Sequence, residues 1–373
     1  MLRTPLARVA RGGTLVAQAG DGAANPAECD AEDNGKTSGA VSRRGILRGV
    51  AVGGGAVAAA ALLPTGAAYA DDRGPAGGGT VRQVPGVHTV IDTSHATDEA
   101  ARIFSAYFRT KSAKDYEGIS TFFSKQNANY LDAILGWPFY GWQAIHDLFA
   151  QYMPQWPKDG TSSPVRILGD ATSVVVFFTN TTGLFGPSEM HAAGVVNFQR
   201  GKIARWVDYW DGRHFGTDNL DAERLSADQF PTDWMESTVG ETASPVIRKV
   251  SAQLSAALLV GEGERAAALF TSDAVFEDMT AHLQILGPRS IGAYLTAASD
   301  VLPYAGKGTR VRHVVGSARG GGYEWAAAGP VPRGLHALEL DAQGRITRLT
   351  AVWDGTLVDD ETLMTMARRA IEH

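Results

Sequence analysis

The chain is poor in the residues that carry redox chemistry or bind soft metals. One cysteine, Cys29, occurs in 373 residues, so the chain can form no intramolecular disulfide. The nine histidines never stand at His-x-His or His-x-x-x-His spacing, which disfavours a metal site. A Gly-x-Gly-x-x-Gly loop and a Gly-x-Ser-x-Gly turn are also missing from the sequence, which disfavours dinucleotide binding and serine-hydrolase chemistry. We therefore expect neither a metal nor a cofactor.

An excess of positive charge is absent as well. The chain has 34 Lys and Arg against 40 Asp and Glu, and its formal charge is −6 at pH 7. A surface of this sign repels phosphate backbones and anionic lipid headgroups. We expect no nucleic-acid partner and no binding to an anionic membrane surface.

The N-terminal segment contains an apolar run, residues 49–63, that is short for a membrane span at about 15 residues. It follows the pair Arg43-Arg44 and precedes Ala68-Tyr69-Ala70, a small-x-small cleavage pattern. This order predicts a twin-arginine export signal over residues 1–70 and no stable membrane anchor. We expect an extracellular or cell-envelope protein, and the mature chain would lack Cys29.

A twelve-residue phrase occurs twice in the remaining chain. Residues 201–212 read G-K-I-A-R-W-V-D-Y-W-D-G, and residues 344–355 read G-R-I-T-R-L-T-A-V-W-D-G. The flanking segments match in the same order, since 129–132 (N-Y-L-D) corresponds to 275–278 (V-F-E-D) and 141–145 to 287–291. The period is the length of a small domain. The pattern predicts two copies of one domain, at 95–220 and 245–373, with a flexible leader over 71–94 and a linker over 221–244.

The hydrophobic pattern of each copy predicts two helices, a strand, a third helix and then a meander of strands. The first helix of copy one is expected over 97–111, and a closing helix over 360–372 has no predicted counterpart in copy one. The fold class is therefore α+β, with two tandem cone-shaped domains. Each is expected to be a curved antiparallel sheet packed by helices around an apolar pocket. The copies would pair as an internal pseudo-dimer, which allows the chain to remain a monomer.

Both copies resemble the nuclear transport factor 2-like superfamily, over about 95–215 and 245–358. This superfamily includes ketosteroid isomerases, limonene epoxide hydrolases and SnoaL-like polyketide cyclases. The segments L-F-T-S-D-A-V-F-E-D and Q-G-R-I-T-R-L-T-A-V-W of copy two are similar to isomerase phrases. The segment G-K-I-A-R-W-V-D-Y-W-D of copy one is similar to an epoxide hydrolase phrase. The superfamily also contains non-enzymes, so the resemblance implies a fold more strongly than an activity.

The isomerase resemblance implies a divided catalytic set. The general base falls at Asp278 in copy two and at Asp132 in copy one. The oxyanion-stabilising tyrosine falls at Tyr107 in copy one, whereas copy two has Leu254 there. The second oxyanion donor falls at His336 in copy two.

The epoxide hydrolase resemblance implies roles for Asp208 and Tyr130. Copy two has Ala351 where copy one has Asp208, so the copies differ in role. The Asp–Arg pair of that family is missing from the strand 173–181, which disfavours simple attack of water on an epoxide. We expect the pocket of copy one to be lined by Tyr130, Trp137, Phe178, Asn180, His191 and Trp206.

These residues would support proton transfer without a cofactor. Burial among aromatic side chains would raise the pKa of Asp132, and Asp208 could divide the pair into an acid and a base. Tyr107 would donate a hydrogen bond to developing oxygen charge. Each residue has a structural alternative: a strand-end turn for Asp132, a solvated strand position for Asp208, core packing for Tyr107 and an exposed position for His191.

The sequence thus leaves two functions open. The first is an exported enzyme doing isomerisation, cyclisation, dehydration or epoxide opening on a hydrophobic, oxygenated small molecule such as a polyketide or terpenoid. The second is a secreted small-molecule-binding protein with degenerate pockets. The aspartates of the repeated Trp-Asp-Gly phrase, Asp211 and Asp354, are expected to be structural turns because both copies keep them.

Overall fold

The computed structural model describes residues 82–83 and 90–371. The predicted export signal, 1–70, and most of the predicted leader lie outside the described residues. Residues 75–373 form one compact unit. In the part of the chain that is described, no helix has the length and hydrophobicity needed to cross a membrane.

The first half follows the predicted order of elements, with two strands added before the first helix and one added before the third helix. Its helices are α1 (Asp98–Ser112), α2 (Tyr116–Ser120) and α3 (Trp142–Tyr152). Its strands are β1 (Arg82–Gln83), β2 (Val90–Ala96), β3 (Asn129–Asp132), β4 (Pro138–Tyr140), β5 (Ser162–Gly169), β6 (Ser173–Asn180), β7 (Met190–Gln199) and β8 (Lys202–Trp210). They form one sheet in the order β1-β2-β5-β6-β7-β8-β3-β4.

The second half repeats this arrangement after two short helices, α4 (Thr217–Glu223) and α5 (Glu236–Val239). Its helices are α6 (Pro245–Leu259), α7 (Gly263–Ala267), α8 (Pro288–Ala297) and α9 (Asp360–Arg369). Its strands are β9 (Phe270–Asp278), β10 (Leu283–Leu286), β11 (Arg310–Gly316), β12 (Gly320–Ala326), β13 (Arg333–Leu340) and β14 (Ile346–Trp353). The sheet order is β10-β9-β14-β13-β12-β11, which is the order of β4, β3, β8, β7, β6 and β5 in the first half.

The predicted α+β class is confirmed, but the sheets are mixed rather than wholly antiparallel. The pairs β3–β8 and β9–β14 run parallel. Each four-stranded meander begins at the strand farthest from the hairpin, β5 or β11, and its last strand lies beside the first strand of the hairpin and runs parallel to it. The parallel pair matters for the site, because it places the ends of β3 and β8 side by side.

Local sequence explains the boundaries of the long helices. The side chain of Thr97 caps α1 by accepting from the backbone N–H of Ala100, and Ser244 caps α6 by accepting from Ile247. The predicted first helix is therefore confirmed to within one residue at each end. The leader prediction is wrong for residues 90–94, which belong to β2, because the glycine-rich composition ends at Gly86.

The repeated Trp-Asp-Gly phrase forms the predicted structural turns. Asp211 accepts from the backbone N–H of Arg213, and Asp354 accepts from that of Thr356. Each aspartate starts a turn of 3-10 helix, and α4 and α9 then follow. The closing helix α9 thus has a counterpart in α4, which the polar composition of 216–244 concealed. Oδ1 of Asp354 also accepts from the N–H of Gly212, so the two turns contact each other.

The two sheets pack against each other and share buried charge. Val315, Leu335, Ala337 and Val352 of the second half belong to the core of the first. Arg205 on β8 forms an ion pair of 2.8 Å with Glu324 on β12, and both side chains are fully buried. The hydroxyl of Tyr209 donates to the same carboxylate at 2.8 Å. Burial on both faces explains why β8 carries apolar residues on both of its sides instead of alternating them with exposed polar residues.

Candidate functional site

The candidate site lies where β3 and β8 end in the first half. Asp132 is the last residue of β3 and pairs in register with Asp208 on β8. Neighbouring strands are about 4.8 Å apart, so the two carboxylates share one side of the sheet. The sequence brings them together because the parallel pairing aligns N-Y-L-D of β3 with R-W-V-D of β8.

Asp132 is held by the turn that follows its strand. Its Oδ1 accepts from the backbone N–H groups of Ile134 and Leu135, each at 2.8 Å. Its Oδ2 accepts from Trp210 Nε1 at 3.0 Å. Asp132 is half-buried. The carboxylate is therefore fixed in position by three donors while it keeps partial access to its surroundings.

Asp208 is more deeply buried and is held by aromatic donors. The hydroxyl of Tyr130 donates to Oδ2, and Trp206 Nε1 donates to Oδ1. Asp208 is 6% exposed. Trp206 fills the centre of this half, with Tyr107 stacked on it at a centroid distance of 4.8 Å.

Lys111 completes the set with a buried amine. It projects from the last turn of α1 and is 6% exposed. Its Nζ lies 4.8 Å from the ring centre of Phe178, 5.6 Å from that of Phe108 and 5.5 Å from that of Phe185. Cation–π attraction to these rings partly replaces the water that the ammonium loses on burial.

Burial shifts the titration of these groups toward neutral pH. Desolvation raises the pKa of Asp132 to about 7. The negative charge of Asp208 raises this pKa further, and the hydrogen bonds from the turn N–H groups lower it. Desolvation lowers the pKa of Lys111 to about 8, and Asp208 opposes that shift. Desolvation also raises the pKa of Asp208, which the Lys111 ammonium opposes most. An acid and a base that both titrate near pH 7 suit general acid–base catalysis.

The second half has different side chains at the corresponding positions of its sheet. These positions form a row of directly paired residues that runs across neighbouring strands. Asp278 pairs in register with Ala351, Ala351 with His336, and His336 with Tyr323. In the first half the row runs from Asp132 through Asp208 to Gly194. The structure therefore brings the predicted residues Asp278 and His336 onto one row, with Ala351 between them.

Asp278 is fully buried and its oxygens are taken by neighbours. Oδ1 accepts from the N–H groups of Thr280 and Ala281 at 3.1 and 2.9 Å. Oδ2 accepts from the hydroxyl of Tyr304 at 3.0 Å, and Trp353 Nε1 lies 3.0–3.1 Å from both oxygens. Burial raises the pKa of Asp278. This carboxylate is less accessible than Asp132.

His336 is a neutral imidazole in this environment. It is fully buried, and burial lowers its pKa to about 3. Its Nδ1 lies 2.7 Å from the hydroxyl of Tyr323, and its ring centre lies 4.6 Å from that of Tyr304. Among the described residues, Nε2 has no hydrogen-bond partner. At neutral pH His336 can share a hydrogen bond but carries no charge.

The structure divides the predicted pocket residues of the first half into two groups. Phe178 packs between Phe108 and Trp206 in the interior, and Asn180 shares its strand face. Asn180 is 2% exposed, and its Oδ1 lacks a hydrogen-bond partner in the described part of the chain. These two side chains face the interior, and their role in binding a ligand stays a prediction.

Trp137 lies in the turn after Asp132 and packs against the same core, whereas His191 lies on the other face of the sheet. The indole of Trp137 is half-buried, and its Nε1 donates to the carbonyl of Glu223. His191 is 50% exposed, pairs with Glu189 at 3.0 Å and lines a cavity between the halves. Strand alternation explains this, because His191 and Phe178 face opposite sides of the sheet. Assigning His191 to the pocket of Asp132 was wrong.

Four residues of the site were missed in the sequence. Lys111 falls one turn after Tyr107 on the same face of α1, and this spacing is the signal that could have marked it. Tyr304 lies in the loop after α8 and has no pattern that marks it. Trp210 and Trp353, which donate to Asp132 and Asp278, were detectable, since the repeated phrase carries a tryptophan in both copies.

Comparison with known proteins finds similar solved structures and little else. No family model matches the chain, and no curated protein matches it. A putative polyketide cyclase from Sinorhizobium meliloti is 21% identical, and the match covers 29% of this chain and 93% of that one with a TM-score of 0.25. A putative ketosteroid isomerase from Kribbella flavida is 17% identical over 40% and 93%, with a TM-score of 0.27. An NTF2-like protein of unknown function from Cytophaga hutchinsonii is 11% identical over 34% and 96%, with a TM-score of 0.25. At these values the matches identify neither the activity nor the ligand of this protein.

Proposed function

We propose that the chain consists of two tandem domains of the nuclear transport factor 2-like type. The equal strand order of the two sheets supports this. The hydrogen bonds of the two strand-end aspartates also support this. Asp132 accepts from Trp210, and Asp278 accepts from Trp353. Each aspartate also accepts from the backbone N–H groups two and three residues later. The domain boundaries at 95–220 and 245–373 stay a prediction.

We propose further that the first half is an acid–base catalyst that needs no cofactor. The observation that carries this proposal is that Asp132 and Asp208 lie side by side on paired strands. The Lys111 amine lies over the ring of Phe178 in the same half. The first half is favoured over the second because Asp132 is half-buried, whereas Asp278 is enclosed.

The chemistry would be a proton transfer on carbon or oxygen. The ionised Asp132 would take a proton from a carbon next to a carbonyl, and the negative charge would move to the carbonyl oxygen. Tyr107 and the Lys111 ammonium would stabilise that oxygen, and protonated Asp132 would return the proton at a second carbon. This sequence balances as an isomerisation, and the same groups suit cyclisation or dehydration. The aromatic lining fits a hydrophobic, oxygenated substrate such as a polyketide or terpenoid.

The test is conversion of small molecules followed by mass spectrometry. Extracts of the producing organism are incubated with the wild type, Asp132→Asn, Lys111→Met and the exposed-site control Asp221→Asn. We expect a compound that the wild type and the control convert, and that Asp132→Asn converts at least about 10²-fold more slowly. Conversion that survives in Asp132→Asn would contradict the assignment and point to Asp278.

A secreted binding protein is the second candidate function. The observations that favour it are the three donors that already occupy Asp132 and the indole of Trp206 that fills the interior. In this case the same experiment would recover compounds bound and unchanged by both the wild type and Asp132→Asn.

We also propose export by the twin-arginine route, which the sequence of residues 42–70 supports. Changing Arg43 and Arg44 together to lysine should retain the protein in the cytoplasm of the producing organism. Cell fractionation with an antibody against the chain would measure this. Unchanged secretion of the double variant would contradict the proposal.

A further inference from the structure

A cavity of 430 Å³ lies between the two halves, apart from the candidate catalytic site. The residues that line it include three histidines from separate parts of the chain, His191, His214 and His282, together with Asp211. His191 comes from β7, His214 from the 3-10 turn after β8, and His282 from the turn between β9 and β10. Both halves therefore contribute imidazoles to one space.

Three of these residues can offer donor atoms to a common point. One donor atom each from Asp211, His214 and His282 lies within 4.8 Å of the other two. Nδ1 of His214 is buried, and among the described residues it has no hydrogen-bond partner. The ring centre of His191 lies 6.1 Å from that of His214. A buried imidazole nitrogen without a partner is costly unless a ligand completes its coordination.

The backbone of His282 adds an independent observation. Its φ is +55°, in the left-handed region that favours glycine. The residue at the same offset from the strand-end aspartate in the first half is Gly136, with φ +77°. The second half thus places a histidine where the same turn accepts glycine without strain. Strained residues of this kind concentrate at binding and catalytic sites.

The charges around the cluster also permit a cation. Arg213 pairs with Asp211 along one edge of the carboxylate and also donates to the carbonyl of Thr280. With the backbone N–H of Arg213, three donors reach the two carboxylate oxygens, which leaves about one of the roughly four lone-pair sites of the carboxylate for a metal. Glu189 pairs with His191, which lines the cavity. Beside the histidines, the two acidic side chains Asp211 and Glu189 therefore outnumber Arg213.

We propose that Asp211, His214 and His282 bind a divalent transition metal of the zinc type, with His191 as a fourth ligand. Two or three imidazoles and a carboxylate are ligands that suit zinc. Zinc bonds of about 2.0–2.1 Å place neighbouring donors roughly 3.3 Å apart, so the side chains must move inward by about 1 Å. His282 is exposed and His214 half-buried, which leaves room for this movement. The metal would join the halves, because its ligands come from both.

The test measures zinc retention and thermal stability on the full chain, purified without a polyhistidine tag. After dialysis against micromolar zinc, we expect one zinc per chain and a higher melting temperature than in chelator. His282→Gly removes a ligand without straining the turn, and it should bind zinc at least tenfold more weakly. His214→Gln should do the same, whereas His146→Gln on α3, outside the cavity, should bind like the wild type. Magnesium should leave the melting temperature unchanged.

Two results would overturn the proposal. One is no zinc retained by the wild type at micromolar metal. The other is equal retention and an equal rise in melting temperature in the wild type and His282→Gly. Neither result bears on the chemistry proposed for Asp132, because the two sites share no residue.

Discussion

The two halves build one scaffold and place different groups on it. At the row that crosses each sheet, the first half has Asp132 and Asp208, and the second has Asp278 and then Ala351. The first helix of each half differs in the same way, because the first half has a charged residue where the second has an apolar one. Lys111 is the fourteenth residue of α1, and the fourteenth of α6, which has the same length, is Leu258. At these positions the first half therefore has two carboxylates and an amine, whereas the second half has one enclosed carboxylate and a neutral imidazole.

What the halves keep in common separates scaffold from chemistry. Asp132 and Asp278 each cap the turn after their strand and each accept from a tryptophan indole. A feature present in both halves is therefore explained by folding, whatever else it does. Lys111 and Asp208 occur in the first half alone, so they are the better markers of a function specific to that half.

The largest expected effect is on the ion pair that joins the halves. Glu324→Gln would leave the fully buried Arg205 without its charge partner, and we expect a loss of about 3–5 kcal/mol in the free energy of unfolding. Urea denaturation measures this. The exposed pair of Glu262 with Arg265 is the control, and Glu262→Gln should cost at most about 1 kcal/mol. A loss below about 1 kcal/mol in Glu324→Gln would show that the pair does not hold the halves together.

The second prediction concerns the buried amine. The pKa of Lys111 is about 8 in the folded chain against an ordinary value of 10.5, so burial of the charge destabilises the fold below pH 8. As the pH rises to 10.5, the wild type should gain about 3 kcal/mol of stability relative to Lys111→Leu. Urea denaturation of both proteins between pH 7 and about 10.5 measures this gain.

The reciprocal change sharpens the comparison. Leu258→Lys places an amine in the second half, where Ala351 stands in place of Asp208, and we expect it to be unstable at pH 7 and to recover as the pH rises. A stability difference between the wild type and Lys111→Leu that does not vary with pH would show that the amine is not buried as described.

The third prediction concerns the carboxylate of the first half. The pKa of Asp132 is raised from 3.8 to about 7, so its stabilising contribution is full below pH 3.8 and is lost as the pH rises through 7. The full shift corresponds to about 4 kcal/mol, and because Asp132 is half-buried we expect about 2 kcal/mol. The stability of the wild type relative to Asp132→Asn should fall by that amount between pH 4 and pH 7. A constant difference in urea denaturation would contradict the raised pKa.

The smallest expected effect compares the two strand-end turns. In metal-free buffer, His282→Gly should stabilise the chain by about 0.5–1 kcal/mol, because glycine adopts a positive φ without strain. Gly136→Ala should be destabilising, since an added Cβ would lie 2.5 Å from the ring of Phe230 at a φ of +77°. Thermal unfolding of both variants measures the effects. Loss of stability in His282→Gly would show that the histidine supports the turn.

Much of the fold could be predicted because its signals are local or repeated. The cap at Thr97, the apolar spacing of α1 and the hairpin between β7 and β8 each lie within a few residues. The repeated phrase located corresponding strands in both halves. Strand β2 could not be predicted, because it is held by pairing with β5, far along the chain.

The site was less predictable, because its parts are brought together by packing. The pairing of Asp132 with Asp208 follows from a parallel register that the sequence does not mark. The side chain of His191 points to one face of its sheet, and what covers each face depends on the rest of the fold. The sequence of a single strand does not reveal this. The cluster of His214 and His282 was invisible to a search for spacing, since its members come from different halves.

The most direct test of the account is a titration of Asp132 by carbon-13 NMR of its side-chain carboxyl. Comparison with Asp132→Asn assigns the signal, and the chemical shift is followed from pH 4 to pH 9. We predict a midpoint near 7, which would make Asp132 a proton acceptor and donor at neutral pH. A midpoint near 4 would show that the hydrogen bonds from the turn N–H groups and Trp210 keep the pKa of Asp132 at its ordinary value. This result would contradict the proposal that the first half is an acid–base catalyst.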